Sequence, residues 1–223
     1  MFEDVFIVIP AFNEEERIAP VVRSLRDVGF KNIVVVDDGS KDQTAEQAYS
    51  AGAHVFRHVI NRGQGAALQT GNTYARRQSA KIVVHFDGDG QFNPDDIVPA
   101  IDVLSRGEYD IVFGSRFLDA RSESMPWIKK RLLLPIGRVL NRLMTGVTLS
   151  DAHNGFRVLG AKALEKIAIL HDGMAHNSDI VAQVKQHDLR FCEHPVEVRY
   201  FEFGQGVRGG FTIVRDWCLG WFI

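Results

Sequence analysis

The stretch VVHFDGDGQF, residues 83–92, joins an apolar run typical of a buried strand to two aspartates, Asp87 and Asp89, just beyond the end of that run. Gly88 and Gly90 let the backbone turn tightly and let a ligand approach it closely. Two carboxylates on such a turn favour a hard divalent cation, Mg²⁺ or Mn²⁺, which bridges to a diphosphate. The alternative is an Asx-type turn that caps the helix predicted near residue 94.

Strands and helices are predicted to alternate on both sides of this stretch. Apolar runs predict strands at residues 5–9, 33–36, 53–58, 81–86 and 110–114. Spacing and start signals predict helices at residues 14–28, from about 42 with Ser40 as its cap, at 64–79 and at 94–105. The second half is less regular, with a helix near 178–186 and a strand near 190–199. This order predicts an α/β fold with a mostly parallel sheet, whose ligands bind beyond the carboxyl ends of the strands.

Composition limits the class of protein. With 223 residues and 45% hydrophobic content, the chain suits one domain with a small appendage. A formal net charge of −2 argues against nucleic acid as a partner, because general nucleic-acid binding relies on a basic surface. The sequence shows no apolar run near the roughly 20 residues of a membrane-spanning helix, no signal-peptide pattern, and no C-x-x-C spacing between Cys192 and Cys218. We therefore expect a cytoplasmic protein that at most lies on a membrane.

A second pair of carboxylates, Asp37 and Asp38, ends the strand in VVVDDGSKD, residues 34–42. Two such pairs on neighbouring loops repel each other unless cations or hydrogen-bond donors separate them. A carboxylate can also accept the imide N–H of uracil or guanine, so Asp38 is a candidate for reading a nucleobase and Glu14 for contacting the ribose. This edge of the predicted sheet therefore suits a nucleotide.

Other nucleotide and catalytic motifs are missing from the sequence. The loop NRGQGAA, residues 61–67, lacks the G-x-G-x-x-G spacing, and no G-x-x-x-x-G-K-[ST] motif occurs, which disfavours a dinucleotide-dependent dehydrogenase. This loop opens a helix, so its backbone N–H groups either face a nucleotide or form an ordinary structural turn. No nucleophile elbow or zinc-ligand spacing is present either.

Six motifs resemble, in sequence and in order, those of the family 2 glycosyltransferases of GT-A fold: IPAFNEE, VVVDDGSKD, NRGQGAALQTG, HFDGDGQ, FGSRF and DAHNGFR. The match runs from about residue 5 to about residue 200. DGDGQ, GSRF and D-x-x-x-GFR are most similar to the dolichol-phosphate-mannose synthases and their bacterial polyprenyl-phosphate glycosyltransferase relatives. The resemblance implies a metal-dependent, inverting transfer of a sugar from a donor of the UDP-glucose or GDP-mannose type to polyprenyl or dolichyl phosphate.

The resemblance also implies roles for individual residues. A divalent metal ion, Mg²⁺ or Mn²⁺, would be surrounded by Asp87, Asp89 and Gln91, of which Asp89 is also expected to be catalytic. The nucleotide would contact Pro10, Phe12, Glu14, Asp38 and Asp87. Arg116 would hold the acceptor phosphate, and we predict the same catalytic role for Arg131, with Arg199 and Arg208 as further candidates.

A basic segment gives the phosphate acceptor physical support. A monophosphate is already mostly ionised near neutral pH, because its second pKa is about 6, so it needs arginines rather than a general base. Residues 126–146 place arginines, among them Arg131, on one side of a helical projection and apolar residues on the other, and residues 126–150 contain no acid. This pattern predicts either an interfacial helix beside anionic lipid or a surface helix packed on the sheet. Pro135 is expected to kink or split the segment.

The predicted organisation has two parts. Residues 1–205 form the glycosyltransferase domain, and residues 206–223 form an aromatic segment that contacts the membrane interface, a partner or the protein's own core. We expect peripheral binding to the cytoplasmic face of a membrane, directly or through a small membrane-protein partner.

Two alternative functions fit the same sequence. One is transfer to a saccharide hydroxyl, with Asp151 or Asp179 as general base. The other is a nucleotide-sugar-binding protein without turnover, which the intact set of Asp87, Asp89 and Gln91 disfavours.

Overall fold

One sheet carries the site. In this computed structural model, which describes residues 2–118, 147–152, 154–173 and 175–199, the strands are β1 (Val5–Ala11), β2 (Asn32–Asp37), β3 (His54–Arg57), β4 (Ile82–His85), β5 (Ile111–Ser115), β6 (Arg157–Gly160) and β7 (Phe191–Pro195). The helices are α1 (Ile18–Val28), α2 (Thr44–Ser50), α3 (Gln64–Arg77), α4 (Ile97–Arg106), α5 (Ala161–Lys166) and α6 (His176–Gln186), and a 3₁₀ turn, Pro94–Asp96, precedes α4. The strand order is β3-β2-β1-β4-β6-β5-β7.

The sheet is mostly parallel, as the sequence predicts. β1 pairs in parallel with β2 and β4, β2 with β3, and β5 with β7. The exception is β6, which lies between β4 and β5 and is antiparallel to both. Neither β6 nor α5 is among the elements predicted from the sequence. This inserted strand brings residues from the second half of the chain to the end of β4.

Helices cover both faces of the sheet. In β1, Ile7 and Ile9 pack with α1 and α4 on one face, whereas Phe6 and Val8 pack with α3, α5 and α6 on the other. All seven residues of β1 are buried, as expected for a central strand covered on both sides. The carboxyl ends of β1, β2 and β4 therefore open at one edge of a rigid core.

Two predicted features of the first helices differ in the structure. The helix predicted from residue 14 begins at Ile18, and Ser40 does not cap the second helix. The Ser40 hydroxyl instead accepts a hydrogen bond from the Asn13 N–H at 2.9 Å. The loop after β1 is therefore bonded to the loop after β2 rather than wound into a helix.

Several predictions fall on parts of the chain that the structure does not describe. The basic segment, residues 126–146, and the C-terminal segment, residues 206–223, lie outside the described residues, and so do Arg131 and Arg208. Among the helices of the described ranges, none is long and apolar enough to span a membrane.

Close packing of α3 on β1 predicts the effect of one substitution. A Cβ atom added at Gly71 of α3 would lie 2.2 Å from Cγ1 of Val8. We expect Gly71→Ala to lower the free energy of unfolding by about 1–3 kcal/mol through overpacking. An unobstructed helical glycine would show the opposite sign, since alanine is favoured there by roughly 0.5–1 kcal/mol. Urea denaturation would measure the change.

Gly173→Ala is the control for this prediction. A Cβ atom at Gly173 would meet no heavy atom within 4 Å, so this variant should unfold like the wild type. A gain in stability in Gly71→Ala would contradict the packing of α3 on β1.

Candidate active site

A cavity of about 380 Å³ opens beyond the carboxyl ends of β1, β2 and β4. The predicted nucleotide and metal residues that line it are Pro10, Phe12, Glu14, Asp38, Asp87 and Asp89. The structure thus brings together all five predicted nucleotide contacts. Gln91, Arg116 and Arg199 are not among the residues that line this cavity.

The loops after β1 and β2 hold each other in place. The Glu14 N–H donates to the Thr44 hydroxyl at 2.8 Å, and the Gln43 N–H donates to the Glu15 carboxylate at 2.9 Å. The Glu14 carboxylate is paired with Arg17 at 2.7 Å. These bonds fix the backbone that carries Phe12 and Glu14 at the mouth of the cavity.

Positive charge and hydrogen-bond donors of the protein surround the Asp37–Asp38 pair. Asp37 is fully buried, accepts a hydrogen bond from the Ser40 N–H at 2.9 Å and pairs with Arg57 at 3.1 Å. Asp38 is 3% exposed. Its carboxylate accepts from the N–H groups of Arg62 and Gly63 and lies 2.7 Å from Nδ1 of His58. Because two carboxylate oxygens offer about four lone-pair sites, Asp38 keeps little free capacity for a nucleobase. Its reading of a base stays a prediction.

The surroundings of Asp87 and Asp89 differ from those of Asp37 and Asp38. One Asp87 oxygen accepts from Nε2 of Gln64 at 2.9 Å, and one Asp89 oxygen accepts from the Gln91 N–H at 2.9 Å. No ion pair to either carboxylate is found within the described part of the chain. Burial and the charge of Asp89 raise the pKa of Asp87 to about 6. This pair lacks the donors that neutralise Asp37 and Asp38.

This arrangement fits a divalent cation. Hard cations such as Mg²⁺ take carboxylate oxygens and share their remaining positions among water and substrate phosphates. Among the described residues there is no group of three or more His, Cys, Asp and Glu side chains that could hold a metal by itself. Asp87 and Asp89 would therefore be two ligands of an ion whose other ligands come from Gln91, water or a diphosphate.

The structure also tests the simpler interpretation of the DGDGQ turn. The bond from the Gln91 N–H to Asp89 is an Asx-type turn. The following 3₁₀ turn, however, is capped by Asn93, whose side chain accepts from the Asp95 N–H at 3.1 Å. Helix capping therefore does not account for Asp87 and Asp89.

Arg116 lies after β5 and forms a forked ion pair with Asp151. Its Nε and Nη2 atoms donate to the two Asp151 oxygens at 2.7 and 2.9 Å. Glu193 of β7 accepts from the Ser150 N–H at 2.7 Å and from the Asp151 N–H at 3.3 Å. Glu193 thus fixes the loop at residues 150–151, which in turn holds Arg116. The sequence analysis did not identify Glu193.

Arg199 lies beside the DGDGQ turn and is not among the residues that line the cavity beyond β1, β2 and β4. Its N–H donates to the Gln91 carbonyl at 2.8 Å, and Val198 forms an antiparallel bridge with Phe92. Its guanidinium is 3.5 Å from Glu197. The extension of β7 therefore supports the backbone of the DGDGQ turn.

A buried polar cluster lies behind Asp87. Arg157 of β6 is fully buried and donates to Asn177 of α6. His85 of β4 lies opposite Arg157 and within 2.9 Å of Asn72. The pKa of His85 falls well below its usual value through burial and the charges of Arg157 and His176. The only permanent charge within this cluster is thus the guanidinium of Arg157.

The same cluster predicts how stability depends on pH. Nδ1 of His176 donates to the Gly173 carbonyl at 2.8 Å, and burial together with the Arg157 charge lowers the pKa of His176 from 6.5 to about 4. The unfolded chain therefore binds a proton below about pH 6.5 that the folded protein binds only near pH 4. The contribution of His176 to the free energy of unfolding is therefore complete above about pH 6.5. It decreases by roughly 3 kcal/mol as the pH falls to about 4.

His176→Gln should remove that contribution. We expect the variant to be less stable at neutral pH but to have a shallower pH dependence between about pH 6.5 and 4. Urea denaturation at several pH values would measure it, with His171→Gln, an exposed histidine, as the control that keeps the wild-type slope. Equal slopes in wild type and His176→Gln would contradict a neutral buried imidazole.

Comparisons with known proteins agree with this geometry. The family model described as glycosyl transferase family 2 matches residues 6–168. A UDP-N-acetylglucosamine–dolichyl-phosphate N-acetylglucosaminyltransferase of Methanococcus voltae is 30% identical over 94% of this chain and 92% of its own length. A polyprenol monophosphomannose synthase of Mycolicibacterium smegmatis is 26% identical over 96% of this chain and 86% of its own.

A solved structure shows the same fold. Glucosyl-3-phosphoglycerate synthase of Mycobacterium tuberculosis, crystallised with Mn²⁺, UDP-glucose and phosphoglyceric acid, aligns with a TM-score of 0.65 at 21% identity. The alignment covers 88% of this chain and 72% of that one. The family model and the relatives agree, and the chain belongs to glycosyl transferase family 2, with a GT-A fold.

Proposed function

We propose that this glycosyltransferase moves a sugar from a nucleotide diphosphate, of the UDP-glucose or GDP-mannose type, to polyprenyl or dolichyl phosphate. One observation carries the proposal: Asp87 and Asp89 face the same cavity as the predicted nucleotide contacts, without an ion-pair partner among the described residues. A pair of unneutralised carboxylates beside a nucleotide pocket suits a metal-bound diphosphate.

The donor half of the site would work through charge. Asp87 and Asp89, with Gln91 beside them, would hold Mg²⁺ or Mn²⁺, and the ion would neutralise charge on the departing diphosphate. Pro10, Phe12 and Glu14 would orient the nucleoside at the other end of the cavity. Gln64, which donates to Asp87, keeps that carboxylate directed toward the diphosphate.

The acceptor is proposed to be a phosphate because the candidate general bases are already engaged. Asp151 has both oxygens bonded to Arg116 and also accepts from Asn154 at 3.1 Å. Asp179 accepts from the Leu170 N–H at 3.0 Å and from Gln183 at 2.9 Å. A carboxylate in these bonds is poorly placed to remove a proton from a sugar hydroxyl. An ionised phosphate oxygen needs no such base.

The relatives support the same acceptor class. One is named for transfer to dolichyl phosphate and another as a polyprenol monophosphomannose synthase. Attack by the phosphate oxygen on the anomeric carbon, from the side opposite the diphosphate, would form the new C–O bond as the bond to the diphosphate breaks. The sugar would thus leave with inverted configuration.

The acceptor also implies a place in the cell. A polyprenyl phosphate is held in a membrane, so the protein would bind the cytoplasmic face peripherally, through residues 126–146 or through a small membrane-protein partner. Arg131 and Arg208 would join Arg116 and Arg199 as acceptor-phosphate candidates. Their roles remain predictions from the sequence.

A transfer assay tests the proposal. Purified protein is incubated with a UDP- or GDP-sugar, Mg²⁺ or Mn²⁺ and a short polyprenyl phosphate, beside the variants Asp89→Ala and Asp179→Asn. We expect metal-dependent formation of lipid-linked sugar phosphate, its loss in Asp89→Ala by about 10²-fold or more, and its retention in Asp179→Asn.

Two outcomes would contradict the proposal. The first is nucleotide-sugar binding with no transfer to lipid phosphate, which would direct the search to hydroxyl acceptors. The second is loss of the chemical step in Asp179→Asn with nucleotide binding intact, because this would identify a general base.

Arg116→Lys probes the acceptor side separately. Lysine keeps the positive charge but loses the planar fork that pairs with Asp151, so the acceptor phosphate should be held less well. We expect the KM for polyprenyl phosphate to rise by about 10-fold, with nucleotide affinity unchanged. Steady-state kinetics with each substrate varied would show this split.

Arg106→Lys is the matched control. Arg106 is exposed and pairs only with Asp102 one turn earlier in α4. An equal effect of both substitutions on the KM for polyprenyl phosphate would argue against a role of Arg116 at the acceptor.

A further inference from the structure

The register between β4 and β6 carries an inference about Asp87. Val83 lies opposite Leu159 and His85 lies opposite Arg157 in this antiparallel pair. Extended by two residues beyond β4, the same register places Asp87 opposite Gly155. Directly opposed residues of an antiparallel pair point to the same face of the sheet. Gly155 therefore lies where a side chain would project toward the Asp87 carboxylate.

The space at Gly155 is filled by Asp87. A Cβ atom added to Gly155 would lie 2.3 Å from Oδ2 of Asp87 and 2.8 Å from its Oδ1 and Cγ atoms. A contact this short is far inside van der Waals distance, so one of the two groups would have to move. The Asp87 carboxylate is thus held between the backbone of Gly155 and the side chain of Gln64.

The backbone at Gly155 is itself anchored on both sides. The Phe156 N–H donates to the Asn154 side chain at 2.9 Å, and the buried Phe156 ring packs against Phe86 and Phe92. Arg157, fully buried, bonds to Asn177 and lies 3.5 Å from the Gly155 carbonyl oxygen. Because these contacts anchor the backbone at Gly155, we expect a larger side chain at this residue to displace Asp87 rather than the backbone.

We propose that Gly155 is a positioning residue for the metal and diphosphate site: its missing side chain lets the Asp87 carboxylate lie against β6, in the place from which it binds the ion. The proposal deepens the proposed function and rests on it, because it takes Asp87 as a metal ligand. Arg157 and Phe156 act with Gly155 by fixing its backbone.

The expected effect is confined to one half of the site. The predicted nucleoside contacts Pro10, Phe12 and Glu14 belong to β1 and the loop after it, whereas the three heavy atoms nearest to a Cβ atom at Gly155 all belong to Asp87. A side chain at residue 155 should thus weaken metal binding and leave the nucleoside end unchanged. General loosening of the fold would affect both.

Manganese binding by Gly155→Ala tests the proposal, with Gly173→Ala as the matched control. Mn²⁺ is titrated into the full chain in the presence of UDP or GDP, whichever the wild type binds, and free Mn²⁺ is measured by electron paramagnetic resonance. We expect Gly155→Ala to lose about 10- to 100-fold in Mn²⁺ affinity. Gly173→Ala should match the wild type, since its added Cβ atom would meet nothing within 4 Å. Metal-free nucleotide affinity should be the same in all three proteins.

A second comparison applies if Gly155→Ala folds but is too unstable for a metal titration. In an Asp87→Ala background the carboxylate that the new Cβ atom would strike is gone. Gly155→Ala should then lower the melting temperature in the wild-type background but not in the Asp87→Ala background. An equal decrease in both backgrounds would overturn the proposal, because the conflict would then not involve Asp87.

The other outcomes are equally decisive. Wild-type Mn²⁺ affinity in a folded Gly155→Ala protein overturns the proposal, and so does an equal loss of Mn²⁺ affinity in Gly173→Ala. A protein that binds Mn²⁺ and nucleotide as expected, yet transfers no sugar to polyprenyl phosphate, would refute the proposed acceptor and leave the role of Gly155 standing.

Discussion

Repulsion among four carboxylates at one edge of the sheet is the constraint on which the site depends. Two like charges about 4 Å apart repel by about 4 kcal/mol under the screening typical of a protein surface. The protein neutralises Asp37 and Asp38 with Arg57 and with donors from the loop after β3. Within the described ranges it provides no ion pair for Asp87 or Asp89, and burial, together with the charge of Asp89, raises the pKa of Asp87 to about 6. The unneutralised pair therefore indicates where a cation belongs.

The loop around Arg116, the proposed acceptor residue, is organised in the opposite way, by an ion pair and hydrogen bonds within the protein. Asp151 is buried, and a buried carboxylate costs several kcal/mol unless hydrogen bonds and an opposite charge compensate. Arg116 and Asn154 supply that compensation, and Glu193 accepts a hydrogen bond from the Ser150 N–H and so fixes the loop that carries Asp151. Nε and Nη2 of Arg116 donate to Asp151, which sets the plane of the guanidinium. The proposed acceptor phosphate would meet an arginine that is already oriented.

The sequence predicts the donor half better than the acceptor half, for physical reasons. Apolar runs ending in Pro10, Asp38 and Asp87 are local signals, and parallel strands bring their carboxyl ends to one edge without further information. β6 gives no such signal, because RVLG, residues 157–160, begins with an arginine that is fully buried and donates to Asn177 of a distant helix. Glu193 was missed for the same reason, and Gly155 was identified only as part of the motif D-x-x-x-GFR, without a role of its own. Both roles follow from tertiary neighbours.

The segment that leads into β6 connects the surroundings of Asp87 with those of Arg116. Asp151 pairs with Arg116 on the acceptor side, Asn154 bonds back to Asp151, and Gly155 lies against Asp87 on the donor side. The same short segment then enters the core through Phe156 and Arg157, which are both fully buried. Because interiors are close-packed, a segment anchored in this way transmits small displacements rather than absorbing them. A shift of this segment would therefore move Asp87, the proposed metal ligand, together with Asp151, the partner of the proposed acceptor residue Arg116.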